Sequence, residues 1–250
     1  MSFALEPANY EIKKIKFSID VKFNDTIQDP FPNASFFMCI IGPPKSGKTN
    51  LLVNMLNNKK IYKRVFDKVV LVMPKNSMKS IKNNIFEDLP PDQQFDELTP
   101  KVLEKIKSIR ETFDEEEQDE IERNKHRPRH MLLILDDVTA ELKNKENMKM
   151  LLELSTNRRH LKLSIVLLAQ YLRSIPKPVR SQVTHLVAFK MPNELDSSIL
   201  RDEYLNLERD LFNKLKRFVY ESAHDFLFIN KMDEKYFKNL SRIIMPVTEE

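Results

Sequence analysis

Short, continuous apolar runs recur along this chain, separated by charged stretches that suit helices. The clearest are Phe36–Ile41, Phe66–Pro74, Met131–Leu135, Leu163–Ala169, Val183–Phe189 and Phe226–Ile229. Runs of this length, without polar alternation, predict strands buried on both faces. Between them, Thr49–Leu56 and Glu146–Leu154 predict helices, and Lys75–Arg129 predicts a mostly helical insertion punctuated by Pro90, Pro91 and Pro100. Residues 1–35 alternate weakly through Ile12, Ile15, Phe17, Ile19, Val21 and Phe23, which predicts one or two edge strands. The pattern predicts one α/β domain with a central, mainly parallel sheet and helices on both faces. Its parts are N-terminal edge strands (1–35), a strand–helix–strand unit (36–75), a charged helical insertion (76–130), the strands that run into Asp136-Asp137 and Gln170 (131–190) and a C-terminal extension (191–250). In such a sheet the chemistry gathers at the carboxyl ends of the strands.

Glycine usage changes the picture. The 250 residues hold two glycines, where average usage of about 7% predicts roughly 17. Both fall in Gly42-Pro43-Pro44-Lys45-Ser46-Gly47-Lys48-Thr49, directly after an expected strand and at the start of an expected helix. G-x-x-x-x-G-K-T is a phosphate-cradling loop: glycine permits the tight turn that brings successive N–H groups against an anion. Lys48 is expected to reach the β/γ-phosphates and the Thr49 hydroxyl to coordinate Mg²⁺. The helix N-terminus, with Asn50 in its first turn, favours the same anion. The expected ligands are therefore a nucleoside triphosphate and Mg²⁺, the triphosphate held by residues 42–50.

Two further strand ends carry polar groups. Met131–Leu135 runs into Asp136-Asp137, a position from which Asp136 can hold Mg²⁺ and Asp137 can orient and deprotonate the attacking water. Gln170 ends Leu163–Ala169, where its amide can bond both the γ-phosphate and that water. Between these strands lies Asn157-Arg158-Arg159-His160. A guanidinium from Arg158 or Arg159, presented by a neighbouring subunit, would stabilise charge on the transferred phosphoryl group; an exposed basic turn is the competing reading.

The net charge of +4 is mild, but its distribution is uneven. Glu111–Glu122 holds eight acids, and the remainder is distinctly basic. A solvated helix face accounts for the acidic block. Arg173, Lys177 and Arg180, around Pro176 and Pro178, are candidate contacts to a nucleic-acid backbone, which would be salt-sensitive and sequence-indifferent. The single cysteine, Cys39, excludes an internal disulfide framework and suits a reducing compartment. The first residues lack the pattern of a signal peptide, and no apolar run is long enough to span a bilayer.

Two other patterns compete. Asn230-Lys231-Met232-Asp233, directly after an apolar strand, matches the guanine-reading element of GTPases, although no glycine remains to supply their Asp-x-x-Gly switch. His126 and His130 have metal-ligand spacing, but Pro128 between them opposes the helix that would align them.

The order of Gly42–Thr49, Leu132–Val138 and Arg159–Gln170 resembles the HerA–FtsK superfamily of DNA-pumping ATPases. Within it, the chain is similar to the poxvirus-type virion packaging ATPases of large DNA viruses, over roughly residues 35–190. That resemblance implies a P-loop NTPase of the additional-strand, RecA/FtsK-like type. It also implies a homo-oligomeric ring, pentamer or hexamer, that moves double-stranded DNA into a preformed capsid, with contacts to capsid proteins. The setting would be host cytoplasm at a virus factory, or the virion. Lys48, Thr49, Asp136, Asp137 and Gln170 would take the roles given above, with aspartate standing where the superfamily more often has glutamate. The alternatives are an ATP-driven motor for protein assembly or secretion, a GTPase switch, and a small-molecule phosphotransferase.

Overall fold

In the computed structural model, residues 21–79, 84–122 and 129–246 are described, with backbone alone for 114–122. In chain order the elements are β1 (Phe37–Ile41), α1 (Lys48–Asn57), β2 (Lys68–Val72), α2 (Lys75–Lys79), β3 (Gln94–Phe95), α3 (Pro100–Glu122), β4 (Met131–Asp136), α4 (Lys145–Asn157) and β5 (Leu163–Ala169). There follow α5 (Lys177–Ser181), β6 (His185–Phe189), α6 (Glu194–Ile199), a π-helical stretch Leu200–Leu205, α7 (Arg209–Val219), β7 (Phe226–Asn230), β8 (Lys235–Lys238) and β9 (Ser241–Ile243).

Among the described residues all nine strands form one sheet, in the order β3-β2-β4-β5-β1-β6-β7-β8-β9. The pairings from β3 to β6 are parallel and those from β6 to β9 antiparallel. β5 stands between β1 and β4, so the strand before the glycine loop and the strand before Asp136-Asp137 are separated by one additional strand. The fold is the expected α/β P-loop type with a mainly parallel sheet.

The apolar runs became strands because both of their faces are covered. Along β1, Phe37, Cys39 and Ile41 join one buried cluster, while Met38 and Ile40 join the other, as the two-residue period of a strand requires. The first cluster is closed by Leu103 and Ile106 of α3, Leu151 and Leu154 of α4, and Phe212 and Leu215 of α7. The second is closed by Leu52 and Met55 of α1 with Tyr62 and Phe86. α4 begins where the Asn144 side chain accepts from the N–H groups of Glu146 and Asn147, satisfying two donors that a helix start leaves open.

The structure corrects several expectations. Residues 1–20 of the expected N-terminal edge strands lie outside the described residues, and 21–35 form turns and bends rather than a strand. There Phe23 and Phe31 pack against Tyr62, each 6.1–6.4 Å away ring to ring. Of the residues that suggested alternation, Val21 and Phe23 are described, and Phe23 serves this packing. The stretch taken as an insertion at 76–130 supplies a layer of the core, since Leu103, Ile106 and Phe113 of α3 are buried. The short strands β3, β8 and β9 were not expected; β3 has two residues and β9 three, too few to show a period. His126 is outside the described residues. Cys39 is buried and free, and burial pushes its thiol pKa well above the ordinary range.

Candidate active site

Register places the chemistry on one edge. Ile41 sits beside Ala169 of β5 and Ala188 of β6, and Asp136 beside Leu168. Gly42, Asp136-Asp137 and Gln170 therefore leave the sheet at the same level. The Gly42 N–H donates to the Ala169 carbonyl at 3.1 Å, which ties the loop to the strand that carries Gln170.

The loop needs both glycines for different reasons. A Cβ at Gly42 would lie 2.6 Å from Ser46 Oγ and 2.7 Å from Phe189 Cβ, so there is no room for one. Gly47 has φ +109°, a backbone that side chains rarely adopt. Lys45 is also left-handed, at φ 65°. α1 then begins at Lys48, with its first N–H groups facing the loop's concavity.

Pro44, Lys48, Thr49, Asp136, Asp137 and Gln170 line one cavity of about 260 Å³, together with Ser77, Leu168 and Ala169. Six positions chosen from three separate stretches of sequence thus converge. The Lys48 ammonium donates to the carbonyls of Gly42 (2.7 Å) and Pro43 (3.1 Å). Burial lowers its pKa, and the carboxylates of Asp136 and Asp137 act in the opposite direction. Asp136 is pushed up to about 6 by burial and by the charge of Asp137, with Lys48 opposing. Two carboxylates and one ammonium this close form a site that gains from an added cation. A hydroxyl (Thr49) and a carboxylate (Asp136) beside a phosphate cradle are the oxygen donors Mg²⁺ takes, with water and phosphate completing its shell. The residues fit the metal.

Asp137 adopts φ 57° and is exposed, whereas Asp136 ends β4 half-buried. The left-handed turn ends the strand immediately after Asp136 and separates the settings of the two acids. Aspartate tolerates this conformation better than most residues.

Sequence reasoning missed two neighbours. Ser77, on α2 after β2, lines the cavity from the far side of β4; Pro74 ending the strand was its only signal. His224 lies in the turn before β7, and its Nδ1 is 3.0 Å from the Ser46 carbonyl. Nothing local marks it, because its position depends on β7 running antiparallel.

Other expected residues lie elsewhere. Arg158 and Arg159 line a separate cavity of about 450 Å³ with Phe36, Thr184, His185, Asn230 and Asp233. These residues mark the beginnings of β1 and β6 and the end of β7, the edge opposite the glycine loop. Neither arginine belongs to the cavity of its own chain's loop. Arg158 is half-buried and donates to the Ser155 carbonyl at 2.7 Å; burial and then the Arg159 charge lower its pKa.

Asn230–Asp233 sits at that same far edge, about five strand residues or roughly 15 Å of sheet from the loop. Its Asn230 side chain is engaged locally: Oδ1 accepts from the N–H groups of Met232 and Asp233 at 3.0 and 3.2 Å, and Nδ2 donates to Asp233 at 3.1 Å. It caps a turn, and the guanine-reading alternative is set aside.

Arg180 is corrected as well. It is buried, paired with Glu203 at 2.7 and 3.0 Å, and donates to the Ile175 carbonyl at 2.6 Å; it is no surface contact. Arg173 bonds the buried carboxylate of Asp196, and Lys177 remains exposed.

Comparison with known proteins agrees with this geometry. The family described as Poxvirus A32 protein matches residues 23–229. The chain belongs to that family. Among curated proteins no relative matched. Among solved structures, the genome packaging NTPase B204 from Sulfolobus turreted icosahedral virus 2, in complex with sulfate, superimposes with TM-score 0.57 at 14% identity. That match covers 86% of this chain and 100% of the other. The same NTPase in complex with ATP-gammaS gives 0.54 at 16% identity, covering 85% and 100%. The cytoplasmic domain of the Thermomonospora curvata Type VII secretion ATPase EccC gives 0.57 at 13% identity, covering 90% of this chain and 28% of that one. Identities this low establish a shared fold. This A32-family chain therefore has the fold of nucleotide-driven motors, and the expected resemblance is borne out.

Proposed function

We propose that this chain is a Mg²⁺-dependent ATPase motor that drives double-stranded viral DNA into a preformed capsid. The observation that carries this reading is the convergence of Lys48, Thr49, Asp136, Asp137 and Gln170 on one cavity beside the glycine loop, in a member of the A32 family. As such a member, with the fold of a genome packaging NTPase, the chain is a viral genome-packaging ATPase. Its setting is the infected cell or the virion; among the described residues no helix is long and apolar enough to cross a membrane.

Residues 42–50 hold the triphosphate. Lys48 exchanges the Gly42 and Pro43 carbonyls for β/γ-phosphate oxygens when nucleotide enters. Thr49 and Asp136 would hold Mg²⁺, which when bound would supply positive charge against the phosphates. Asp137 accepts a proton from the attacking water, and Gln170 positions that water and reports loss of the γ-phosphate. Arg158 and Arg159, lying at the opposite edge, serve the neighbouring subunit of a ring. Exposed Lys177 contacts the DNA backbone.

The fold is shared with a secretion ATPase, so a protein motor is the second reading. ATPase rate with and without long duplex DNA at low salt decides between them. Several-fold stimulation that fades as salt is raised is expected; no stimulation overturns the DNA motor.

A further inference from the structure

The acids and Gln170 fix one end of the bound nucleotide. They follow β4 and β5, so the γ-phosphate lies on that side of the loop. The nucleoside then emerges on the other side, toward β6 and β7. The structure there presents His224. Its Nδ1 lies 3.0 Å from the Ser46 carbonyl, and it is 3.7 Å from where a Cβ on Gly47 would stand. The turn that carries it is tied down at several points. The Ser222 N–H donates to Asp225 at 2.7 Å, Asn239 Nδ2 donates to the same carboxylate at 2.9 Å, and the Phe226 N–H donates to Asn239 at 3.0 Å. Phe226 also packs on Phe189, centroids 5.4 Å apart, and Phe189 borders both glycines of the loop.

We infer that His224 is a nucleotide-contact residue that binds a hydrogen-bond donor on the nucleoside half of ATP; this rests on the phosphate-loop reading above. A carbonyl oxygen can only accept, so Nδ1 carries the proton in the bond to Ser46. In the Nδ1–H tautomer Nε2 is then left as an acceptor, on an exposed residue. A phosphate oxygen, itself an acceptor, does not suit that atom. A ribose hydroxyl or an adenine 6-amino group does.

Calorimetric titration of the full chain in Mg²⁺ with ATP and with inorganic tripolyphosphate tests this. His224→Asn keeps an amide N–H where Nδ1 stood, and so keeps the Ser46 bond, but lacks Nε2. ATP affinity is expected to fall about 3- to 10-fold in His224→Asn and in His224→Ala, with tripolyphosphate affinity unchanged. Wild-type ATP affinity in the Asn variant overturns the inference, as does an equal loss for both ligands, which would mark a brace for the loop. A wild-type chain that binds neither ligand overturns the phosphate-loop reading together with it. Titrations with 2′-deoxy-ATP, 3′-deoxy-ATP and inosine triphosphate identify the donor: the wild type is expected to discriminate against one of them and the Asn variant against none. Absence of discrimination in the wild type overturns the contact.

Discussion

The two edges of the central sheet carry similar residues to opposite ends. At the carboxyl edge of β1, β4 and β5, a lysine, two aspartates and a glutamine line one cavity beside a loop that has no room for a Cβ at Gly42. At the other edge, two arginines, a histidine, an asparagine and an aspartate also share a cavity, and it is the larger of the two. Size and polarity do not separate them. Strand direction does: six parallel strands end on the first edge, so helix and loop N–H groups collect there, whereas the second edge collects strand beginnings. β7 runs antiparallel, and it delivers Asn230–Asp233 to the edge opposite the proposed nucleotide site at Lys48.

The sharpest way to break this comparison is at the first edge. Lys48→Ala is expected to lower ATP turnover by about 10³-fold, because it removes a cation proposed to face the transferring phosphoryl group. Asp137→Asn is expected to keep nucleotide binding and lower turnover about 10²-fold or more. Single-turnover hydrolysis beside equilibrium binding separates the two variants. Retained turnover in Asp137→Asn removes it as the base.

Arg180→Ala is expected to destabilise the fold by about 2–3 kcal/mol, since Glu203 and the Ile175 carbonyl lose their partner. Lys177→Ala is expected to leave stability unchanged and to reduce the salt dependence of DNA binding by about one counterion. Denaturant melts and salt titrations read both. Equal stability of the two variants would contradict the buried pairing of Arg180.

At the second edge, His185 is held neutral: burial lowers its pKa from 6.5 to about 4. The unfolded chain therefore binds a proton that the folded chain refuses. His185 favours folding above pH 6.5, and that contribution fades as pH falls toward 4. The difference corresponds to about 3 kcal/mol at most. His185→Gln is expected to show a shallower loss of melting temperature over that interval; parallel curves would refute the assignment. The smallest effect is expected from Asn230→Ala, about 1 kcal/mol of stability from the lost turn bonds, with the preference for ATP over GTP unmoved.

Most of the first edge was legible in advance. Gly42–Thr49, Asp136-Asp137 and Gln170 each stand where a continuous apolar run stops, and in a parallel sheet that boundary is the functional edge. Ser77 follows the same rule one strand further out, but Pro74 obscured it. The second edge was less legible: Asn230–Asp233 also follows an apolar run, which does not reveal whether its strand is antiparallel, and only the missing Asp-x-x-Gly glycine argued against the guanine-reading match. Arg180 was misread for a related reason: a basic residue between prolines reads as exposed until Glu203, 23 residues on, is folded against it.

The sequence alone determined the six strands built on continuous apolar runs, the glycine loop and the family, because strand burial, a glycine pair and a strand-end acid are local constraints written into consecutive residues. The tertiary structure alone decided which strand ends meet, that Arg158 and Arg159 lie away from their own loop, and that His224 lies against it. Those facts depend on strand order and direction, which are set by packing between residues far apart in the chain.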